Sequence, residues 1–243
     1  SGGSHPVVIL TLNAFWFQGV PFEGTEPGLP KADIIAGIAG KLTQISPDVI
    51  CLQEIQSPEA FDLARRWFPT YPFGAYSEGR IYRQYGVGVL CRQRFEVIAD
   101  TQKSGTEVQR AFQVIEVQGL AIANVHLPSG RQEGKETAKC LRVKELQVMR
   151  ATSDNVDVWV GDMNEVPGGG VSGFFRENGF MDIADMSGAA SVFDNPQRVD
   201  YIAVARHLSG RVAGFGAVQR QEFVDDTRRY LSDHLPLWVD IAP

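Results

Sequence analysis

Several polar residues stand where an apolar run begins or stops: Asn13, Glu54, His126, Asp162, Asn164, Asp200, Asp233 and His234. The carboxylates and amides among them (Glu54, Asp162, Asp233, Asn13 and Asn164) are hard oxygen ligands, suited to Mg²⁺ or Mn²⁺. Only two imidazoles join them, without His-x-x-x-His spacing or a cysteine pair, which disfavours zinc. A cation that neutralises phosphate oxygens, a carboxylate that orients or deprotonates water, and an imidazole that stabilises developing charge together equip a chain for phosphoryl chemistry. Taken singly, each residue has a plainer reading. Glu54 could be a solvated strand end, Asp233 a loop carboxylate, His126 a satisfied strand-terminal histidine, and Asp162 and Asn164 turn caps. Their conjunction decides for a site.

The elements that must position these groups alternate between strand and helix. Apolar, β-rich runs predict strands at Val7–Leu12, Asp48–Gln53, Val156–Val160, Val199–Ala205 and Leu235–Ile241. Phe73–Ser77, Tyr85–Cys91, Glu96–Thr101, Ala111–Val117 and Leu120–Val125 follow one another with short polar connections and predict an antiparallel meander. Helices are expected at Lys31–Ile45, Ser57–Phe68, Glu133–Arg150 and Gly173–Asn178. Asn13–Pro30 and Gly210–Ser232 are too long for tight turns and are expected as loops. This order implies an α/β sandwich, two sheets face to face with helices outside. Asn13, Glu54, His126 and Asp162 end their strands, whereas Asp200 and His234 start theirs. All six meet at one rim if the last two strands run opposite to the first four.

The chain has 243 residues, 44% of them hydrophobic and 21% charged, ordinary globular usage. Residues 1–5, opening Ser1-Gly2-Gly3-Ser4, read as an appended linker or disordered start, and residues 6–243 as one domain. No apolar stretch is long enough for a membrane span, and a cytoplasmic monomer without an obligate protein partner is expected. Cys51, Cys91 and Cys140 show no disulfide framework. The net charge of -6 argues against a broad basic surface for nucleic acid, leaves room for a local basic groove, and suits a cation site. Gly168-Gly169-Gly170 lacks the Lys-Ser/Thr of a phosphate-binding loop. Arg80, Tyr82, Arg83 and Tyr85 interleave cations with aromatics, as a nucleic-acid contact or a polar turn would. The aromatic Phe15–Phe22 loop is a substrate wall, a partner patch or packing, and composition does not choose.

Six short motifs occur in order: Thr11-Leu12-Asn13, Leu52-Gln53-Glu54, Asn124-Val125-His126-Leu127, Gly161-Asp162-Met163-Asn164, Arg198-Val199-Asp200-Tyr201-Ile202 and Ser232-Asp233-His234-Leu235-Pro236. Each is weak alone. Together they resemble the ordered motifs of the endonuclease/exonuclease/phosphatase superfamily, which includes DNase I. The resemblance implies a DNase I-like four-layer α/β sandwich of two mixed, mostly antiparallel sheets. It implies metal-dependent phosphoester hydrolysis with Mg²⁺ or Mn²⁺, nucleic acid being the favoured substrate. Phosphatase or phosphodiesterase action on small or lipid-borne phosphates is the alternative, and a catalytically silent binding module a further one. On this resemblance Glu54 is the principal metal ligand, and Asn13 and Asp233 complete or buttress the metal site. Asp162 and Asn164 position water and phosphate. His234 contacts the scissile phosphate with Asp200 behind it, and His126 faces the phosphate too. Glu78 is placed to pair with His126, while Arg110 and, less directly, Arg80 are placed to hold substrate. Phe15 stands where AP endonucleases carry an aspartate, and Glu165-Val166-Pro167 departs from their continuation, which argues against abasic-site incision.

Overall fold

A computed structural model describes residues 5–103, 107–184, 191 and 197–243. The expected linker at residues 1–5 falls outside these except for His5. The first strands are β1 (Val7–Asn13), β2 (Val49–Ile55), β3 (Phe73–Ser77), β4 (Gly86–Cys91), β5 (Glu96–Asp100) and β6 (Ala111–Val117). They are followed by β7 (Leu120–His126), β8 (Val158–Asp162), β9 (Phe180–Asp182), β10 (Asp200–Ala205), β11 (Val212–Ala217) and β12 (Leu237–Ile241). The helices are α1 (Ala32–Ile45), α2 (Pro58–Arg65), α3 (Gly130–Glu133), α4 (Lys135–Thr152) and α5 (Gly170–Glu177).

Local chemistry explains the helix limits. Ser57 caps α2 by accepting from Ala60 N at 3.1 Å, with Pro58 in the first turn. α1 buries Ile34, Ile35, Ile38, Ala39 and Leu42 along one stripe and stops at left-handed Ser46, just before Pro47.

Two mixed six-stranded sheets result, ordered β11-β12-β1-β2-β4-β3 and β5-β6-β7-β8-β10-β9. Their inner faces share one core, in which Ile9, Cys51 and Val89 meet Val114, Val125 and Val160, and α4 and α5 add Leu146, Met149, Phe174 and Phe175 on the far side of the second sheet. A second core lies between the first sheet and α1 and α2, around Leu10, Leu52, Leu90, Ile38 and Phe61. The layers are therefore helix, sheet, sheet, helix, as the sequence implied. One polar ladder crosses the apolar interior. Gln53 Nε2 on β2 donates to Asn124 Oδ1 on β7 at 2.8 Å and to Thr11 Oγ1 at 3.0 Å, while Asn124 Nδ2 donates to Leu52 O at 3.2 Å and Gly88 O at 3.1 Å.

The expected five-strand meander is corrected. β3 and β4 close the first sheet, and the chain crosses after Cys91 so that β5–β7 begin the second. Strand spacing fixes which side chains share a face, not which sheet a strand joins. The expected loop Gly210–Ser232 contains β11, antiparallel to β12. Its Val-Ala-Gly-Phe-Gly-Ala sequence hides the strand, because Gly214 and Gly216 leave room for the Trp238 ring; a Cβ on Gly216 would come within 2.9 Å of it. The short β9 was also unmarked, and α3 is a separate turn cut from α4 at Gly134.

Candidate active site

β1 pairs with β2 in parallel, β7 with β8 in parallel, and β10 and β12 run antiparallel to β8 and β1. The ends of β1, β2, β7 and β8 therefore share a rim with the start of β10 and the turn before β12, as the sequence required. Backbone irregularities aim the side chains there. Glu54 sits in a register shift between Gln53 and Ile55 with φ 59°, which turns its carboxylate off the sheet face. Gly161 has φ 135°, and a Cβ there would stand 1.9 Å from Val125 O, so only glycine lets β8 lie this close to β7. Asn164, at φ 51°, donates its N–H to Asp162 Oδ1 at 2.9 Å and an amide hydrogen to Leu127 O at 2.8 Å.

Asp162 Oδ2 is the centre of the cluster. It accepts from Asn13 Nδ2 at 2.9 Å and lies 3.2 Å from His126 Nε2 and 3.6 Å from His234 Nε2. Asn13 Nδ2 also donates to Glu54 Oε2 at 2.7 Å, and its Oδ1 is held by the Phe15 N–H at 2.9 Å. With the oxygen so occupied, Asn13 buttresses the two carboxylates through its nitrogen. His234 Nδ1 donates to Asp200 Oδ2 at 2.7 Å, and Asp233 Oδ1 lies 3.9 Å from its Nε2. Arg110 Nη1 lies 2.5 Å from His126 Nε2, Nη2 donates to Gln132 Oε1 at 2.9 Å, and the guanidinium stacks 3.9 Å over Tyr85. Apart from half-exposed Asp233 and Asn164, all these site groups except Gln132 and Tyr85 are buried.

Burial and crowding divide the charges unequally. Burial, with Asp233 nearby, raises the Glu54 carboxyl to about 7. Burial raises Asp200 to about 6 and lifts Asp233 as well. Burial presses on Asp162 in the same direction, but the His234 and His126 imidazoles outweigh it and hold that carboxyl well below the usual range. Burial and the Arg110 charge push His126 down to about 4, so its ring is neutral. His126 Nε2 stands between the Arg110 guanidinium and the Asp162 carboxylate, and it is the ring nitrogen through which His126 meets the cluster. His234 is the opposite case. Burial works against its charge, yet Asp200, Asp162 and Asp233 hold it well above the ordinary histidine value, as an imidazolium.

The donor set fits a hard divalent cation. Ligand atoms of Glu54, His126 and Asp162 lie within 4.8 Å of one another, as do those of Asp162, Asp200 and His234. Among the described residues Asp233 Oδ1 is buried without a hydrogen-bond partner, and four carboxylates, Glu54, Asp162, Asp200 and Asp233, share the rim. These acidic and histidine groups are placed to hold a metal ion.

Of the sequence-predicted residues, the structure gathers Asn13, Glu54, Arg110, His126, Asp162, Asn164, Asp200, Asp233 and His234 at the rim. It separates Glu78 from His126: the Glu78 carboxylate instead accepts from Arg83 Nε at 2.6 Å. Arg80 is exposed, and only its backbone N–H touches the site, donating to Arg110 O at 2.8 Å. Arg131 was missed. It is exposed on α3 and close enough to Asp233 to act on its ionisation, and the only signal was its place five residues after His126. Gln132 and Tyr85, which hold Arg110, were not singled out for that role.

The profile of the Endonuclease/Exonuclease/phosphatase family matches residues 10–234. No match was found among curated proteins. Among solved structures, an AP endonuclease from Archaeoglobus fulgidus superposes with a TM-score of 0.71 at 17% identity, covering 97% of this chain and 99% of that one. D. rerio TDP2 complexed with single strand DNA product gives 0.67 at 17% identity, covering 98% and 99%. An endonuclease/exonuclease/phosphatase family protein from Leptotrichia buccalis gives 0.66 at 18%, covering 98% and 100%. At these identities the structures share the fold.

Proposed function

The chain belongs to the endonuclease/exonuclease/phosphatase family, and from that premise we propose that it hydrolyses phosphodiesters of nucleic acid with Mg²⁺ or Mn²⁺. The observation that carries this reading is the Asp162 carboxylate, set among Asn13, His126 and His234 with Glu54 across the same amide.

Glu54, with Asp162 and His126 beside it, would hold the cation, and Asp233 extends the acidic rim. The bound metal would neutralise phosphate oxygens and polarise the phosphorus toward attack. Asp162 orients the attacking water as a hydrogen-bond acceptor. Its depressed pKa makes it a weak base, so it fixes the direction of attack more than it removes a proton. His234, kept protonated by Asp200, turns Nε2–H toward the phosphate and offsets the charge that builds on its oxygens. Arg110 brings a second fixed positive charge beside the neutral His126 ring. Asn13 and Asn164 hold the carboxylates and the β8 turn in place.

A small-phosphate substrate is the second reading, favoured by the net charge of -6, which repels a polyanion at long range. The test is hydrolysis of a chromogenic phosphodiester with and without chelator. It is followed by single-stranded DNA, duplex DNA, RNA, nucleotides and phosphoinositides, each with Mg²⁺ and with Mn²⁺. Chelator-sensitive cleavage of oligonucleotides supports the proposal. Turnover of small phosphoesters alone transfers it to the second reading.

A further inference from the structure

Two residues after Asn13 the backbone enters the left-handed region and stays there for three residues in succession, Phe15 (φ 49°), Trp16 (φ 53°) and Phe17 (φ 55°). Bulky residues rarely adopt this conformation even singly, and such strain gathers where a site requires it. Phe17 turns into the core, while Phe15 stays half-exposed.

The segment is firmly held. Trp16 Nε1 donates to Gln84 O at 2.8 Å, and Trp16 O accepts from Gln18 Nε2 at 3.0 Å and Gln56 Nε2 at 2.8 Å. Around this post the rings form a continuous series. Phe22 meets Phe15 edge-on at 5.5 Å, Phe15 stacks on Trp16 at 5.9 Å, and Trp16 packs on Tyr85 at 5.3 Å. Tyr85 lies 5.8 Å from the His126 ring, which carries the series into the active site. Phe15, Phe22 and Tyr85 are all half-exposed.

Charge gives the strip a direction. Arg110 and Arg131 stand on the side of His126 and Asp233. The loop carrying Phe22 instead bears exposed Glu23 and Glu26. A phosphate chain is drawn to the first side and repelled from the second. A planar, uncharged group joined to the scissile phosphate fits the aromatic side.

We propose that Phe15 and Phe22 form a stacking subsite for one unpaired nucleobase next to the scissile phosphate, with Tyr85, whose ring carries the Arg110 guanidinium, joining that subsite to the active site. The enzyme would accordingly favour single-stranded or terminal nucleotides over paired duplex. This rests on the phosphodiesterase reading for its biological meaning, but the subsite is testable without turnover.

The experiment is calorimetric titration of the protein, with Ca²⁺ in place of Mg²⁺, by deoxyadenosine 5′-monophosphate and by 2-deoxyribose 5-phosphate. Stacking of one base predicts that the nucleotide binds about tenfold more tightly. The double variant Phe15→Leu, Phe22→Leu keeps apolar volume without the rings and should erase that ratio while circular dichroism and Tm show a folded chain. Phe15→Trp should restore it in the Phe22→Leu background. Equal binding of the two ligands to the unaltered protein overturns the proposal, as does a ratio preserved in the folded double variant. If no phosphodiester is hydrolysed but the ratio and its loss are observed, the catalytic reading falls and the subsite stands. If diesters are cleaved and the ratio is absent, the reverse holds.

Discussion

Asp200→Asn isolates the electrostatic support of His234. Asparagine keeps an oxygen to accept from Nδ1–H, across the present 2.7 Å, but drops the charge. The wild-type imidazole is held well above the ordinary histidine value by Asp200, Asp162 and Asp233, against the effect of burial. A hydrogen bond to a charged group contributes about 1.5–3 kcal/mol, and one pH unit corresponds to about 1.4 kcal/mol. Removing the charge should therefore move the His234 pKa down by about one to two pH units. Since the protonated ring is the active form proposed here, activity is lost as pH rises through that pKa. The basic limb of the pH–rate profile should shift to lower pH by the same interval, and the plateau kcat should fall on the order of tenfold, the usual effect of removing a supporting partner. Rates on a chromogenic phosphodiester between pH 5 and pH 10 measure the limb, and nitrogen NMR of metal-free protein reads the His234 titration directly. A variant whose limb and titration superimpose on wild type refutes the assignment of Asp200 as the group that keeps His234 charged.

Other substitutions separate the remaining roles. Glu54→Gln retains shape but removes one carboxylate from the oxygen-ligand set; Mn²⁺ affinity by calorimetry and turnover should both drop by about 10²-fold or more, and wild-type rates across a Mg²⁺ titration would exclude Glu54 as a ligand. Arg110→Ala should raise KM for an oligonucleotide more than it lowers kcat and reduce the log–log salt slope by about one, so an unchanged slope rules out a phosphate contact. Glu145→Gln tests a buried acid outside the cluster: Glu145 Oε1 accepts from Gln109 N at 2.6 Å, and burial raises its carboxyl to about 8. A raised acid stabilises the fold below its unfolded value near 4.5 and loses that contribution as pH rises through 8. Wild type should therefore lose about 2–4 kcal/mol relative to the Gln variant between pH 4 and pH 9 in urea melts, and parallel stability curves would count against the buried-acid assignment.

How legible the molecule is from its sequence depends on what each residue does locally. Asn13, Glu54, His126 and Asp162 could be placed because each stops an apolar strand, and that position survives any uncertainty about sheet order. Asp200 and His234 followed once strand direction was inferred, and the antiparallel β10 and β12 meet that requirement. The partition of the meander was illegible, because β4 and β5 are both short runs whose spacing is indifferent to the sheet they join. Glu78 failed for a related reason. Its position along the chain was plausible, but Arg83, five residues away, is a nearer partner than a histidine across the sheets. Arg131 and Gln132 reach the site only because α3 folds back after Pro128, which no periodicity announces.

Gln53 and Asn124 show how motif and scaffold overlap. Both lie within the motifs that marked the chemistry, one residue before Glu54 and two before His126, yet neither reaches the reacting rim. Strand alternation sends Gln53 into the sandwich while the bulge at Glu54 turns the next side chain outward. There Gln53 binds Asn124 at 2.8 Å and ties β2 to β7 through an apolar core. A buried amide pair is costly unless satisfied, and most of its hydrogen bonds are made, to Thr11, Leu52 O and Gly88 O. The tie fixes the register of the two sheets at the depth of one residue below the carboxylates proposed to hold the metal. Glu54 belongs to one sheet and Asp162 to the other, so their separation is set by sheet-to-sheet distance and not by any single loop. Rigid spacing of that pair is the condition for holding a cation between them, and the polar ladder beneath is what makes two independently folded faces behave as one support.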